Sequence, residues 1–318
     1  MSSPPSPPNL LRLGTRGSLL ARTQSRIVAD ALEKAHPGLH VDLVMMRTSG
    51  DRITDRPLHE FGGKGLFTKE LEQALLVGEV DFAVHSFKDV PVTMPLVDQD
   101  HLVVAAVPAR EDARDVLAAQ AAVTVEELPP GARVGTGSLR RRCQLLAVRP
   151  DLVVELVRGN IDTRLRRLGE GQFDAIVLAA AGLVRAGLFD RASMSMMDPD
   201  VMLPAPGQGA LALQCRKDDT RTRELLAVLN DPGAAVCVAA ERALVAALEG
   251  DCHSPIAARA ALSEGRLRLH AAVGARGGEP PVARASAEGD AGATDAVVAE
   301  VMNSLVSQGA VERLHPKT

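Results

Sequence analysis

Arg133-Val-Gly-Thr-Gly-Ser-Leu-Arg-Arg-Arg142 holds a strand, a turn and a helix start within ten residues. Residues 133–135 read as a short strand that ends in a glycine-containing turn. Ser138 then opens a helix whose first turn carries three arginines, its hydroxyl being well suited to an N-cap. The same succession recurs on both sides. Upstream, residues 10–14 read as a strand and 18–35 as a helix with Ser18 near its N-cap; strands at 41–46, 80–85 and 102–107 and a helix at 66–77 follow. Downstream come strands at 152–156 and 175–178, with helices near Ile161 and from Ala179. Short apolar strands alternating with amphipathic helices predict parallel or mixed sheets with helices on both faces. The breaker-rich Leu128-Pro-Pro-Gly131 separates two such units. Facing each other, they would form a cleft lined by the loops at the strands' carboxyl ends.

Leu203-Pro-Ala-Pro-Gly-Gln-Gly209 is a natural place for the chain to change domain. Beyond it a strand (210–215) and two helices (220–230 and 234–249) lead to Gly250-Asp-Cys-His-Ser-Pro255. Strands at 257–262, 267–273 and 282–287 and helices from 294 complete the chain, a pattern that suggests a separate α+β domain.

A length of 318 residues agrees with two or three domains. Mean hydropathy is near zero and no apolar run is long enough to cross a membrane. Residues 1–8, rich in Pro and Ser, read as a disordered tail and not as a secretory leader. Cys143, Cys215, Cys237 and Cys252 show no CxxC spacing, so free thiols in a reducing cytoplasm are expected. No metal site is expected either: His36 and His40 stand four apart, but Pro37-Gly38 breaks the helix that would align them.

Arginine outnumbers lysine thirty to six, yet the net charge is −4. The positive charge is therefore local: nine arginines against three acids lie between Arg133 and Arg167. Guanidinium forks pair with carboxylate or phosphate two hydrogen bonds at a time. A single arginine-rich helix is usually a solvated face; two clusters beside Gly/Ser/Thr turns point to a small polyanion. Nucleic acid is disfavoured, because Trp and Tyr are absent and no aromatic follows Phe189 to stack on bases.

Three further features bear on chemistry. Gly62-Gly-Lys-Gly65 lacks the Ser/Thr and the glycine spacing of a phosphate loop; it reads as a hinge carrying Lys64, and both a lid and an ordinary surface loop satisfy it. His85-Ser-Phe-Lys-Asp-Val-Pro91 follows a strand, which puts Asp89 where α/β clefts open. One carboxylate among many arginines can act as acid, base or cation stabiliser, whereas His85 reads as structural. Cys252 sits between Gly250 and Pro255 in a loop that presents its thiol, unlike the other three cysteines, which read as small buried apolar residues.

Taken together these segments resemble the hydroxymethylbilane synthase (porphobilinogen deaminase) family. The resemblance rests on Gly14-Thr-Arg-Gly-Ser18, Gly62-Gly-Lys-Gly-Leu-Phe-Thr-Lys-Glu70, His85-Ser-Phe-Lys-Asp-Val-Pro91, Gly135-Thr-Gly-Ser-Leu-Arg-Arg141, Arg158-Gly-Asn-Ile-Asp-Thr-Arg164, Leu203-Pro-Ala-Pro-Gly-Gln-Gly-Ala210 and Gly250-Asp-Cys252, in the family's order. It implies two periplasmic-binding-protein-like α/β domains and a smaller C-terminal α+β domain, with the chain crossing between the first two near Val107 and again at 203–209. The implied boundaries are 9–107 plus 209–228, then 108–208, then 229–318. It further implies a dipyrromethane cofactor joined by a thioether to Cys252, onto which four porphobilinogen units are added with loss of ammonia before water releases the linear tetrapyrrole.

By the same resemblance Asp89 is catalytic, helping protonate the departing amine and stabilising cationic rings. Ser86, Lys88, Thr136, Ser138, Arg140, Arg141 and Arg164 are implied to hold the cofactor with Cys252. Arg16, Ser18, Gln24, Lys64, Phe67, Arg158 and Arg185 are implied to meet substrate. Three positions depart from the family's pattern: Glu60 replaces a second lid lysine of some members, Gly137 a common serine, and Asp251 a frequent glycine. A monomer in the cytoplasm, binding neither membrane nor nucleic acid, is expected. A non-catalytic anion-binding protein on the same scaffold would also explain the arginines, but it leaves Cys252 idle.

Overall fold

The computed structural model describes residues 9–46, 68–92, 100–121, 123–251 and 254–316. The chain divides into two units, Met1–Arg110 with Ala210–Ala235, and Glu111–Gly209 with Val236–Thr318.

In the first unit, β1 (Leu10–Arg16) lies between β2 (His40–Met46) and β3 (Phe82–Ser86), parallel to both. The tenth strand in chain order, β10 (Leu211–Arg216), inserts antiparallel between β3 and the edge strand β4 (Leu102–Ala106). Both faces of the sheet are covered. The helix α1 (Leu19–Ala35) begins where Ser18 accepts the Ala21 N–H at 3.3 Å, and it ends ahead of Pro37 and the left-handed Gly38. Its Val28, Ala29 and Leu32, spaced for one helical face, bury against Leu11, Leu13, Phe82 and Leu213. On the other face α2 (Lys69–Leu76) packs Leu71 and Leu75 against Val80, Ala83 and Leu102.

The second unit repeats the plan. Strand β6 (Arg133–Gly135) is parallel to β7 (Val153–Glu155) and β8 (Ala175–Ala179). Strand β5 (Asp115–Ala119) runs antiparallel between β8 and β9 (Met194–Met196). The order β7-β6-β8-β5-β9 thus matches β2-β1-β3-β10-β4 strand for strand and in direction. Helices α3 (Leu139–Val148), α4 (Ile161–Gly169) and α5 (Ala180–Arg185) follow β6, β7 and β8. After α6 (Thr220–Ala227) and α7 (Pro232–Ala247) comes an antiparallel sheet of β11 (Ile256–Ser263), β12 (Arg266–Val273) and β13 (Ala283–Asp290). The helix α8 (Thr294–Ser307) packs on β12 and β13, and α9 (Ala310–Leu314) on α8. Glu241 of α7, fully buried, accepts the N–H groups of Gly207 at 2.6 Å and Ala260 at 2.7 Å, tying the Pro/Gly segment to β11. The α/β class with a smaller C-terminal α+β part is as the sequence implies.

Strands β5 and β9 are absent from the sequence reading. Asp115-Val-Leu-Ala-Ala119 is five residues long and buried throughout, so it has no in–out alternation to recognise, and its alanines carry little strand preference. The helix expected from residue 66 begins at Lys69, with 66 and 67 outside the described residues. Gly209, the last residue before the chain returns to the first unit, has φ +86, and a Cβ there would run into the Glu111 carbonyl. Only glycine fits that passage.

Candidate active site

In the first unit the polar residues gather at the carboxyl ends of β1 and β3. Arg16 closes β1, and Ser18 caps the next helix. Gln24, buried one turn further on, accepts a hydrogen bond from the Ser86 hydroxyl at 3.1 Å, so α1 and the end of β3 are joined by side chains. Ser86 leads into a single 3₁₀ turn, Phe87–Asp89, which buries Phe87 and turns Asp89 out to solvent. The Asp89 carboxylate makes no hydrogen bond or ion pair with another described residue. It is therefore available to a ligand.

His85 is structural, as its place in the strand suggests. Its Nε2 lies 2.9 Å from Gln214 Oε1, and Gln214 Nε2 donates to the buried Glu72 at 3.1 Å. With Gln214 Nε2 engaged as a donor, its Oε1 accepts, so the proton sits on His85 Nε2. Burial pulls the His85 pKa down to about 4, helped by the charge of Arg16 and resisted by the Gln214 bond, so the ring is neutral at pH 7.

In the second unit the turn after β6 places Thr136 and Ser138 side by side. Thr136 Oγ1 accepts the Ser138 N–H at 3.2 Å, and Ser138 Oγ lies 3.5 Å from the Arg141 N–H it caps. Both Arg140 and Arg141 are buried, and both turn to one carboxylate. Asp115 of β5, with no exposed surface, accepts from Arg140 Nη1 and Arg141 Nη2 at 2.8 Å each, and from Gln208 Nε2 at 2.9 Å. Arg140 also donates to the Leu203 carbonyl, and Arg141 Nη1 to Val177 O at 2.8 Å. Burial alone would raise the Asp115 pKa; Arg140 and Arg141 outweigh it and hold the carboxyl well below its usual range. Burial lowers the Arg140 pKa against the pull of Asp115, but an arginine starts so far above neutrality that the cluster is one anion and two cations.

The remaining arginines lie on the loops and helices that follow β7 and β8. Gly159, at φ +107, lets Arg158 and Arg164 flank a tight turn in which Arg164 Nε donates to Gly159 O at 2.8 Å. Arg185, at the end of α5, donates to Gly209 O at 2.8 Å, and burial lowers its pKa. Among the described residues two guanidinium nitrogens, Arg141 Nε and Arg158 Nη1, are buried and have no partner. A buried N–H without an acceptor is costly, so both await an anionic oxygen. Small acidic groups are the chemistry this donor set fits. Cys252, Lys64, Phe67 and Glu60 lie outside the described residues. Gly137 is exposed, and a Cβ there would sit 3.3 Å from Val157 O. Asp251 accepts from the Ser254 hydroxyl at 2.9 Å.

Sequence reasoning missed Asp115 and assigned nothing to Gln208 or Gln214. The available signal was indirect: two successive arginines opening a helix beside a buried strand require a counter-charge, and Asp115 begins an apolar run left unread.

Comparison with known proteins supplies the family. The model described as porphobilinogen deaminase, dipyromethane cofactor binding domain, matches residues 11–224, and the one described as porphobilinogen deaminase, C-terminal domain, matches 235–306. The chain belongs to the porphobilinogen deaminase family. The porphobilinogen deaminase of Syntrophobacter fumaroxidans is 48% identical over 301 residues, 95% of this chain and 96% of its own length. That of Acidithiobacillus ferrooxidans is 50% identical over 306 residues, covering 96% and 97%, and that of Roseiflexus sp. is 51% identical over 268, covering 84% and 87%. Among solved structures the methionine-binding protein MetQ aligns with 70% of this chain and 90% of its own at 15% identity, TM-score 0.43. As a porphobilinogen deaminase family member the chain is an enzyme that carries a dipyrromethane cofactor, which sets aside the non-catalytic anion binder. No described helix is long and apolar enough to cross a membrane, and no described cluster of His, Cys, Asp or Glu could hold a metal.

Proposed function

We infer that this chain condenses four porphobilinogen molecules, with loss of ammonia, onto a covalently held dipyrromethane and then releases the linear tetrapyrrole by hydrolysis. The observation that carries the reading is the second unit's arginines, whose buried Arg141 Nε and Arg158 Nη1 atoms lack acceptors, and the exposed Asp89 carboxylate of the first unit adds to it. Porphobilinogen brings an acetate, a propionate and an amine. The arginines suit the first two and Asp89 the third.

In this reading Cys252 is the point of attachment. Arg140, Arg141 and Arg164, with Thr136, Ser138, Ser86 and Lys88, hold the cofactor's carboxylates. When bound, the dipyrromethane would supply the nucleophilic pyrrole carbon that takes the first unit. Asp115 neutralises part of the Arg140–Arg141 charge and fixes both side chains, which leaves Arg141 Nε as the donor free of protein partners. Arg16, Ser18, Gln24, Arg158 and Arg185, with Lys64 and Phe67, receive the incoming substrate. Asp89 Oδ hydrogen-bonds the proton-bearing amine nitrogen as its C–N bond breaks and ammonia departs, and the carboxylate faces the positive charge that ring attack creates. The buried thiols of Cys143, Cys215 and Cys237 support a reducing cytoplasm. We also propose a monomer, no nucleic-acid partner, and three domains: 9–107 with 209–228, 108–208, and 229–318.

The test is to supply purified protein with porphobilinogen, measure ammonia and tetrapyrrole, and weigh the intact protein. Turnover should accompany an added two-pyrrole mass that Cys252→Ser abolishes and that serine at Cys143, Cys215 or Cys237 leaves in place. An active enzyme with unmodified Cys252 overturns the attachment.

A further inference from the structure

A cavity of about 630 Å³ opens in the second unit, lined by none of the residues proposed above to meet cofactor or substrate. Its floor is one face of the C-terminal sheet. Arg259, His270 and Ser286 stand directly across from one another on β11, β12 and β13, with Arg268 and Arg284 two residues along on the same face. The three guanidiniums on neighbouring strands repel one another, and gathering them is unfavourable unless something anionic answers them. The protein answers only in part. Arg268 pairs with Glu288 at 2.5 Å, while Arg284 meets the neutral oxygens of Gln144 and Val201 at 3.2 Å. Arg259 makes no hydrogen bond or ion pair with a described residue.

The far wall has the opposite sign. Asp198 and Asp200, both exposed, line it from the loop after β9, and Asp198 Oδ1 accepts the Asp200 N–H at 2.8 Å. The field at the centre is correspondingly mixed. Burial lowers the His270 pKa, Arg268 and Arg259 push it the same way, and Asp200 pushes back. The volume is that of an ordinary metabolite site.

We propose that this cavity binds a small dicarboxylate bearing a primary ammonium, its carboxylates on Arg259 and Arg284 and its ammonium on Asp200. Two sources have that chemistry: an acidic amino acid, and porphobilinogen itself, which here would occupy a second, non-catalytic position. The second source rests on the function proposed above; the first does not.

The experiment uses full-length protein and two probes, L-glutamate and succinate, in calorimetric titrations. Glutamate should bind the wild type more tightly than succinate, which lacks the ammonium. Arg259→Ala should weaken glutamate about tenfold or more, the scale of one charge-assisted hydrogen bond. Arg259→Lys should recover only part of that, and Asp200→Asn should erase the preference for glutamate over succinate. Thermal melts of each variant establish that it is folded. Initial rates at rising porphobilinogen then separate the sources. A decline at high concentration in the wild type that Arg259→Ala removes makes substrate the occupant; superimposable rate curves with glutamate binding intact make it the amino acid. Absent heat from glutamate together with superimposable rate curves overturns the proposal, and so does glutamate binding that Arg259→Ala leaves unchanged. Failure of the proposed function would show differently, as no turnover in any of the proteins.

Discussion

Replacing Asp115 by Asn is the sharpest test of how the arginine cluster is held. The wild-type carboxylate is fully buried and takes three side-chain donors, Arg140 Nη1, Arg141 Nη2 and Gln208 Nε2, within 2.9 Å. Asparagine keeps the shape but offers one acceptor, and its NH₂ is turned towards a guanidinium. Two buried cations are then left without an anion. Breaking a buried pair from one side costs about 3–5 kcal/mol. For a unit of this size, each kcal/mol moves the melting temperature about 2–4 °C, so a fall of roughly 6–20 °C is expected. With no Trp or Tyr in the chain, far-UV circular dichroism is the probe to follow. The control is Glu155→Gln, which breaks the exposed ion pair with Arg133 at 2.9 Å and should cost about 1 kcal/mol or less. The sign with pH follows from the depressed pKa of Asp115. Its contribution is complete above the unfolded carboxyl value of about 3.9 and is lost as pH falls through the lower folded value. A melting temperature for Asp115→Asn within a degree or two of wild type would mean that the two guanidiniums are held by something other than this carboxylate.

Asp89→Asn should lower turnover by roughly two to four orders of magnitude while leaving the melt almost unchanged, since the carboxylate is exposed and unpartnered; steady-state rates and a thermal scan check both. Arg158→Leu should retain the cofactor mass and stall with substrate units attached, whereas Arg141→Leu should arrive largely without cofactor. Native mass spectrometry distinguishes them, and identical ladders would mean one undivided field of charge. His85, held neutral by burial with a pKa near 4, stabilises the fold fully above the unfolded value of about 6.5. That contribution, on the order of 3 kcal/mol, declines as pH falls from about 6.5 towards 4, and His85→Gln should flatten the slope of denaturant stability against pH in that window.

Much of the architecture is legible in local chemistry. Ser18 and Ser138 announce helix starts because a hydroxyl acceptor is what the first N–H groups of a helix lack, and both cap helices in the structure. Parallel β1 and β6, each followed by a helix, are readable because apolar runs and 3.6-residue periodicity are properties of neighbouring residues. The clustering of arginines identifies the ligand as a polyanion for the same reason: the guanidinium's geometry belongs to the residue wherever the chain carries it.

Position across the sheet is another matter. That β5 and β10 enter their sheets antiparallel, at matching places, follows from where distant segments return, and no window of sequence contains it. The pairing of Asp115 with Arg140 and Arg141, some 25 residues away, is of the same kind. A carboxylate's partner is set by three-dimensional proximity in a low-dielectric interior, where an unpaired charge is intolerable, while the sequence records only that an acid and two bases exist. His85, Gln214 and Glu72 come from three separate elements to make one hydrogen-bonded chain. The residue types fix what kind of ligand the protein takes; which charges it keeps for itself and which it leaves for that ligand depends on how distant segments meet in the fold.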